Sequence, residues 1–203
     1  MRCIDLISAA DERGGKPLVV SLVGGGGKTS LMFALASELR AEGMSVLVTT
    51  TTRILDPRDE GRAFDALYLD ESWAPDASVA ATVPLPMPMP MPTTATATAT
   101  ARGSGAASGR AGFLGVAGSG AAGGKLLSVD PGLIDAAAGW DCVLVEADGA
   151  RHLPIKAPGE REPVTPASAG IVIAVIGLDC LGRRLDEKVA FRPELVAEAA
   201  GLR

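Results

Sequence analysis

Residues 18–50, LVVSLVGGGGKTSLMFALASELRAEGMSVLVTT, leave the chain few ways to fold. Leu18 to Val23 is a largely apolar, β-branched run, as expected of a strand covered on both faces. Four glycines follow. Leu31, Leu35 and Leu39 then recur at helical spacing until Gly43, a natural helix stop. Ser45 to Thr50 is a second strand. Strand, glycine turn, helix, strand is a βαβ unit, which implies a right-handed crossover between parallel strands.

The later chain extends this pattern. Phe64 to Leu69 suits a short strand. Asp130-Pro131 looks like a cap with proline at the first helical position, opening a short helix that ends at Gly139. Asp141 to Glu146 and Gly170 to Ile176 suit two more buried strands, and Pro193 opens a last helix over Glu194 to Ala200. Ile4, Leu6, Ile7 and Ala10 suggest an amphipathic helix at the start. The expected fold class is α/β, a three-layer domain with a mainly parallel sheet.

One segment breaks the pattern. From Pro84 to Gly124, 32 of 41 residues are Gly, Ala, Pro, Thr or Ser. Such composition buries too little side chain to offset the entropy of ordering it. The expected organisation is one domain in two parts, 1–83 and 125–203, separated by a disordered low-complexity insertion over 84–124, with Phe113, Leu114 and Val116 able to dock locally.

Composition excludes several functions. The chain has 203 residues and a net charge of −5, with no basic cluster of the kind that grips nucleic acid. Its longest apolar stretch, Ala169 to Leu178, is ten residues, whereas a membrane span needs about 20. Three scattered cysteines and one histidine give no disulfide framework and no zinc or histidine-rich metal site. No signal peptide is visible, and a cytoplasmic protein is expected.

The strongest chemical signal is Gly24-Gly25-Gly26-Gly27-Lys28-Thr29-Ser30. Glycines between a strand and a helix let successive N–H groups turn towards phosphate oxygens, and the helix N-terminus adds positive potential. Lys28 would reach the outer phosphates and Thr29 would ligate Mg²⁺. The match to G-x-x-x-x-G-K-[ST] is incomplete, because Leu22 stands where the first glycine belongs. Glu146 and Asp148, at the end of a neighbouring strand, are both candidates for the catalytic or metal-holding carboxylate; Asp148 is preferred as nearer the strand terminus. Thr50, Thr51 and Arg53 fall at the carboxyl edge of the sheet, where ligands of open α/β folds bind. Arg151, Lys156 and Arg161 follow Asp148 closely enough to contact an anionic ligand. His152 is expected to be structural or solvent-exposed.

Taken in order, LVGGGGKTSLM, VLVTTTTRI, GKLLSVDP, VLVEADGARHLPIKAPGEREPVTP and VIGLDCLGRRLDEKVAFRPEL resemble the YqeC-like accessory proteins of selenium-dependent hydroxylases, across most of residues 17–200. The resemblance implies a P-loop NTPase-like domain with Gly24 to Ser30 as its phosphate loop. Thr49 to Thr52 match the family's threonine run, and Glu146, Asp148, Gly149, Lys156 and Pro158 its E-A-D-G and K-A-P motif. It implies Mg²⁺ and ATP or GTP as ligands, and a slow NTPase serving maturation of a molybdenum hydroxylase, whose own maturation proteins are then expected partners. A carrier for a phosphate-bearing molybdopterin-type cofactor is the alternative. Such relatives continue beyond the region of Arg192-Pro193-Glu194 into another strand and helix with a base-reading motif, so the resemblance implies a C-terminally shortened domain in which the choice of base cannot be read.

Overall fold

A computed structural model describes residues 16–70, 73 and 112–202. The N-terminal helix expected around Ile4 to Ala10 lies outside the described residues, as do residues 84–111 of the low-complexity segment.

Six parallel strands form the central sheet. They are β1 (Leu18–Gly24), β2 (Val46–Thr50), β4 (Ala66–Tyr68), β5 (Leu114–Ala117), β8 (Cys142–Glu146) and β10 (Ala169–Val175), in spatial order β10-β1-β8-β2-β5-β4. Period-two alternation sends their side chains to two cores. Val20, Leu22, Val46, Val48, Leu144, Leu114 and Val116 meet Met32, Phe33, Leu35, Ala36 and Leu39 of helix α1 (Lys28–Ala41). Val19, Leu47, Val143 and Val145 meet Ile134 of helix α2 (Pro131–Asp135), together with Trp140 and Trp73. The architecture is therefore an α/β domain compatible with three layers. As expected, the Asp130 side chain caps α2, accepting from the Gly132 N–H at 2.7 Å.

Small elements decorate the carboxyl end of the sheet. β3 (Ile54–Leu55), β7 (Lys125–Leu126) and β6 (Ala121–Ala122) form an antiparallel sheet, and β9 (Ile155–Lys156) pairs with β11 (Ala190–Phe191) just before helix α3 (Pro193–Ala199).

Two expectations need correction. Residues 112–124 are not part of a disordered insertion: β5 is a wholly buried strand between β2 and β4. Its glycine misleads because Trp140 needs the space; a Cβ on Gly115 would sit 2.6 Å from Trp140 Cη2. The strand expected over Gly170 to Ile176 is present but not buried on both faces. β10 is an edge strand, its outward residues alternate with inward ones, and Val172 is 55% exposed.

Candidate functional site

The crossover from β1 to β2 passes over β8, while the chain from β8 to β10 passes β1 in the opposite direction, so the glycine loop leaves the sheet where the winding reverses. Such switch points open a crevice at the carboxyl ends of the strands. Here it is a cleft of about 550 Å³, floored by Gly25 to Ser30 with Glu146. Thr52 to Leu55 and Lys125 form one wall, and Gly149 to His152 with Phe191 and Arg192 form another.

The glycine loop is held close to its surroundings. Gly25 donates to the Val175 carbonyl at 2.7 Å. A Cβ at Gly25 would lie 1.9 Å from the Pro154 carbonyl oxygen, so only glycine fits there. Gly27 caps α1 at φ 94°, a left-handed conformation suited to glycine. Leu31 is the first helical residue whose N–H reaches a carbonyl, that of Gly27 at 2.9 Å. The N–H groups of Lys28, Thr29 and Ser30 have no carbonyl within the helix, and the first turn contains no acidic residue to offset their positive potential.

The buried Lys28 ammonium sits behind this loop. It donates to the carbonyls of Gly24 at 2.7 Å and Gly25 at 3.0 Å and lies 3.1 Å from Asp148. The Asp148 carboxylate also accepts from the Gly24 N–H, at 3.0 Å from Oδ2, and pairs with Lys156 at 3.1 Å. Lys156 in turn donates to the Gly149 carbonyl at 2.7 Å and meets Glu162 at 2.9 Å. Glu162 closes the chain on Arg192, 2.7 Å away. Burial works against ionisation of Glu162, but hydrogen bonds from Lys156 and Arg192 outweigh it and hold the carboxyl down at about 2.

Asp148 thus lies beneath the loop, with its oxygens engaged by an N–H and two ammonium groups. Glu146 faces the cleft. Its Oε2 accepts from the Thr29 hydroxyl at 2.7 Å. Burial raises its pKa; the Thr29 hydrogen bond and the Lys28 charge oppose that shift, while the charges of Asp148 and Glu60 add to it. A carboxylate oxygen beside a hydroxyl, with open space in front, is a hard-oxygen donor set of the kind Mg²⁺ accepts while keeping water and phosphate ligands. Among the described residues no group of three or more His, Cys, Asp or Glu side chains is arranged to hold a metal by itself, so a cation here would need phosphate or water oxygens.

The threonine run serves mainly as scaffold. The hydroxyl of Thr50 donates to the Glu146 carbonyl at 2.9 Å and that of Thr51 to the Val164 carbonyl at 2.6 Å, and neither side chain reaches the cleft. Thr52 and Arg53 do reach it, and so does Arg151, whereas Lys156 stays buried beneath and Arg161 is exposed elsewhere. The exposed His152 lines the cleft rim.

Sequence reasoning did not single out Glu60, Arg62, Lys125, Glu162, Phe191 or Arg192. Their positions depend on the decorating strands: Lys125 stands opposite Leu55, and Phe191 opposite Lys156, in strand pairs two residues long, too short for any periodic signal. Arg192, the cap of α3, adopts a left-handed conformation at φ 63° that its place before Pro193 does not foretell, since a residue before proline ordinarily favours extended backbone.

No helix among the described residues is long and apolar enough to cross a membrane. No solved structure matches the chain. A curated relative, the uncharacterized protein YqeC of Escherichia coli (strain K12), is 33% identical over 190 residues, covering 92% of this chain and 62% of the relative. The chain therefore spans a little over three fifths of that relative's length. The family model described as YqeC protein matches residues 20–194. By that match, which takes in the glycine loop, both cleft walls and the ionic chain beneath them, the protein belongs to the YqeC family.

Proposed function

We propose that this chain binds a nucleoside triphosphate together with Mg²⁺ and hydrolyses it slowly. The observation that carries the reading is the Thr29–Glu146 pair, set beside the unpaired N–H groups of α1 at the floor of the cleft. Phosphate oxygens would dock on the N–H groups from Gly26 to Ser30, where the helix end favours anions. Lys28 would turn from the carbonyls of Gly24 and Gly25 towards the outer phosphate. Thr29 and Glu146 would hold the cation, whose charge offsets that of the phosphates. Asp148 and Lys156 act through other groups: they fix Lys28 and the loop, and are positioning residues. Because Glu146 is occupied with the cation, activation of water rests on the phosphates themselves, which accounts for slow turnover. ATP and GTP are equally compatible with this floor.

The resemblance to selenium-dependent hydroxylase accessory proteins supports a role in the maturation of a molybdenum hydroxylase. A second reading is a carrier of a phosphate-bearing molybdopterin-type cofactor, whose phosphate would use the same unpaired N–H groups at the floor of the cleft.

Calorimetric titration of the purified chain with ATP and GTP, with and without Mg²⁺, tests the proposal. Lys28→Ala should weaken binding by about ten- to a hundredfold, the loss expected for one charge-assisted contact of about 1.5–3 kcal/mol. Thr29→Ala should remove most of the Mg²⁺ dependence. Unchanged affinity in both folded variants would sink the nucleotide reading, and a pterin retained through purification from a native host would favour the carrier.

A further inference from the structure

The loop after β3 runs back against α1. Asp56 is buried and its N–H donates to the Gly124 carbonyl at 2.9 Å, which ties the loop to the start of β7. The Arg62 N–H then closes onto the Pro57 carbonyl at 2.9 Å. Between Glu60 and Arg62, Gly61 turns at φ 61°, a left-handed conformation suited to glycine. The Arg62 side chain leaves this loop and reaches the first turns of α1. Its guanidinium carbon lies 5.1 Å from the centre of the Phe33 ring, and Nη2 donates to the Ser30 hydroxyl at 3.4 Å. Glu60 accepts from Nε at 3.1 Å.

Arg62 is therefore a cation set directly against a floor residue, and both it and Ser30 line the cleft. The contact with Glu60 does not exhaust it. A guanidinium carries five N–H groups in a planar fork. Glu60 takes Nε and Ser30 one N–H of Nη2, while Nη1 has no hydrogen-bond partner among the described residues. Both members of the Glu60 pair are partly open to solvent, so their attraction is weak and its main effect is to orient the fork. The Phe33 ring fixes the guanidinium further without neutralising it.

Ser30 marks one end of the floor. Its N–H is the last of the open ones in α1, since Leu31 already donates to the Gly27 carbonyl. Its side chain stands about 100° around the helix from that of Thr29, which points to Glu146. Two phosphates held by Lys28, the loop N–H groups and the cation at Thr29 and Glu146 leave a third to lie at the Ser30 end. We propose that Arg62 takes this third phosphate, the one joined to the nucleoside, on the Nη edge of its fork, where a phosphate accepts two N–H groups at once. This rests on the nucleotide reading only for the nucleoside, because a bare chain of three phosphates meets the same fork. Arg62 thereby makes the cleft favour ligands three phosphates long over those with two. Glu60 acts through Arg62 and is a positioning residue.

Inorganic tripolyphosphate and pyrophosphate, which differ by one phosphate, are the probes, alongside a non-hydrolysable ATP analogue. Each is titrated calorimetrically, with Mg²⁺, into the full-length protein. Arg62→Met keeps an apolar stem over Phe33 and removes the fork. It should weaken the analogue and tripolyphosphate about tenfold each and leave pyrophosphate within about twofold of wild type. Undiminished binding of the two longer ligands, or an equal loss for pyrophosphate, would overturn the assignment, because a mere clamp between loop and helix would move all three together or none. If Arg62→Met does not fold, Glu60→Gln, which loosens the fork, decides in the same way: a loss confined to the longer ligands supports the assignment, and equal or absent losses overturn it. Wild-type protein that binds tripolyphosphate but not the analogue refutes the nucleotide reading alone, and tripolyphosphate against pyrophosphate still decides the role of Arg62. Wild-type protein that binds none of the three overturns both.

Discussion

The Thr29 hydroxyl donates to Glu146 at 2.7 Å, joining residues 117 positions apart at the floor of the cleft. Burial disfavours the charged form of this carboxyl, so its pKa is raised on folding. A group shifted this way contributes stability that is fully present below the ordinary carboxylate range, near 4, and is lost as pH rises through its folded value. Thermal unfolding without Mg²⁺ should therefore show wild type losing stability relative to Glu146→Gln as pH rises from about 4 towards neutrality. Added Mg²⁺ should raise the midpoint of wild type and leave that of the variant unmoved. Superimposable pH profiles would refute the account.

Glu162 has the opposite sign. Lys156 and Arg192 hold its carboxyl at about 2, below its ordinary 4.5. Its contribution is present above about 4.5 and disappears as pH falls through about 2. Glu162→Gln should lower stability by about 1–2 kcal/mol at neutral pH, given that Lys156 keeps Asp148 as a partner. The variant should also flatten the acid limb of a urea-denaturation series. An acid limb of unchanged steepness would show that the pairing contributes nothing.

The loop glycines should differ sharply from a glycine in open space. At Gly25 an added methyl meets the Pro154 carbonyl oxygen at 1.9 Å, so Gly25→Ala should cost at least about 1–3 kcal/mol and abolish phosphate binding. Gly43 has φ 89° with nothing near its Cβ position, so Gly43→Ala should cost about 1–2 kcal/mol from backbone strain and leave binding intact. Denaturation midpoints together with nucleotide titration separate the two.

Leu114 emerges from the most glycine-rich stretch of the chain, yet it is 1% exposed. Leu114→Ala should therefore cost about 2–5 kcal/mol, as in any packed core. Val172→Ala, on the open face of β10, should fall within about 0.5 kcal/mol of wild type. Comparable losses at the two positions would contradict the placement of these strands.

The βαβ start and the Asp130 cap could be read from sequence because each is local: periodicity, a glycine turn and a capping side chain lie within a few residues of one another. β5 could not, since its small residues make room for Trp140, which is distant in sequence. β10 carries the same apolar run that a buried strand would, and only its place at the sheet edge exposes half of it. Of the two E-A-D-G carboxylates, sequence alone favours Asp148, as nearer the strand terminus, whereas in the structure it is Glu146 that faces the cleft. They separate because β8 ends at Glu146, and the chain beyond it carries Asp148 beneath the glycine loop onto Lys28 and Lys156.

The order β10-β1-β8-β2-β5-β4 has a consequence for how the protein is made. β1, β2 and β4 precede residue 74, and β5, β8 and β10 follow residue 111. Across the sheet the two sets alternate without exception, so every ladder of backbone hydrogen bonds joins an early strand to a late one. A nascent chain leaving the ribosome can close no part of this sheet until Leu114 and its neighbours have emerged, and the first half must wait with its strands unpaired. The same interleaving means that a chain cut between residues 74 and 111 keeps every ladder found among the described residues: the central-sheet strands of two fragments synthesised apart have native partners only in each other, and mixing the fragments should rebuild one domain.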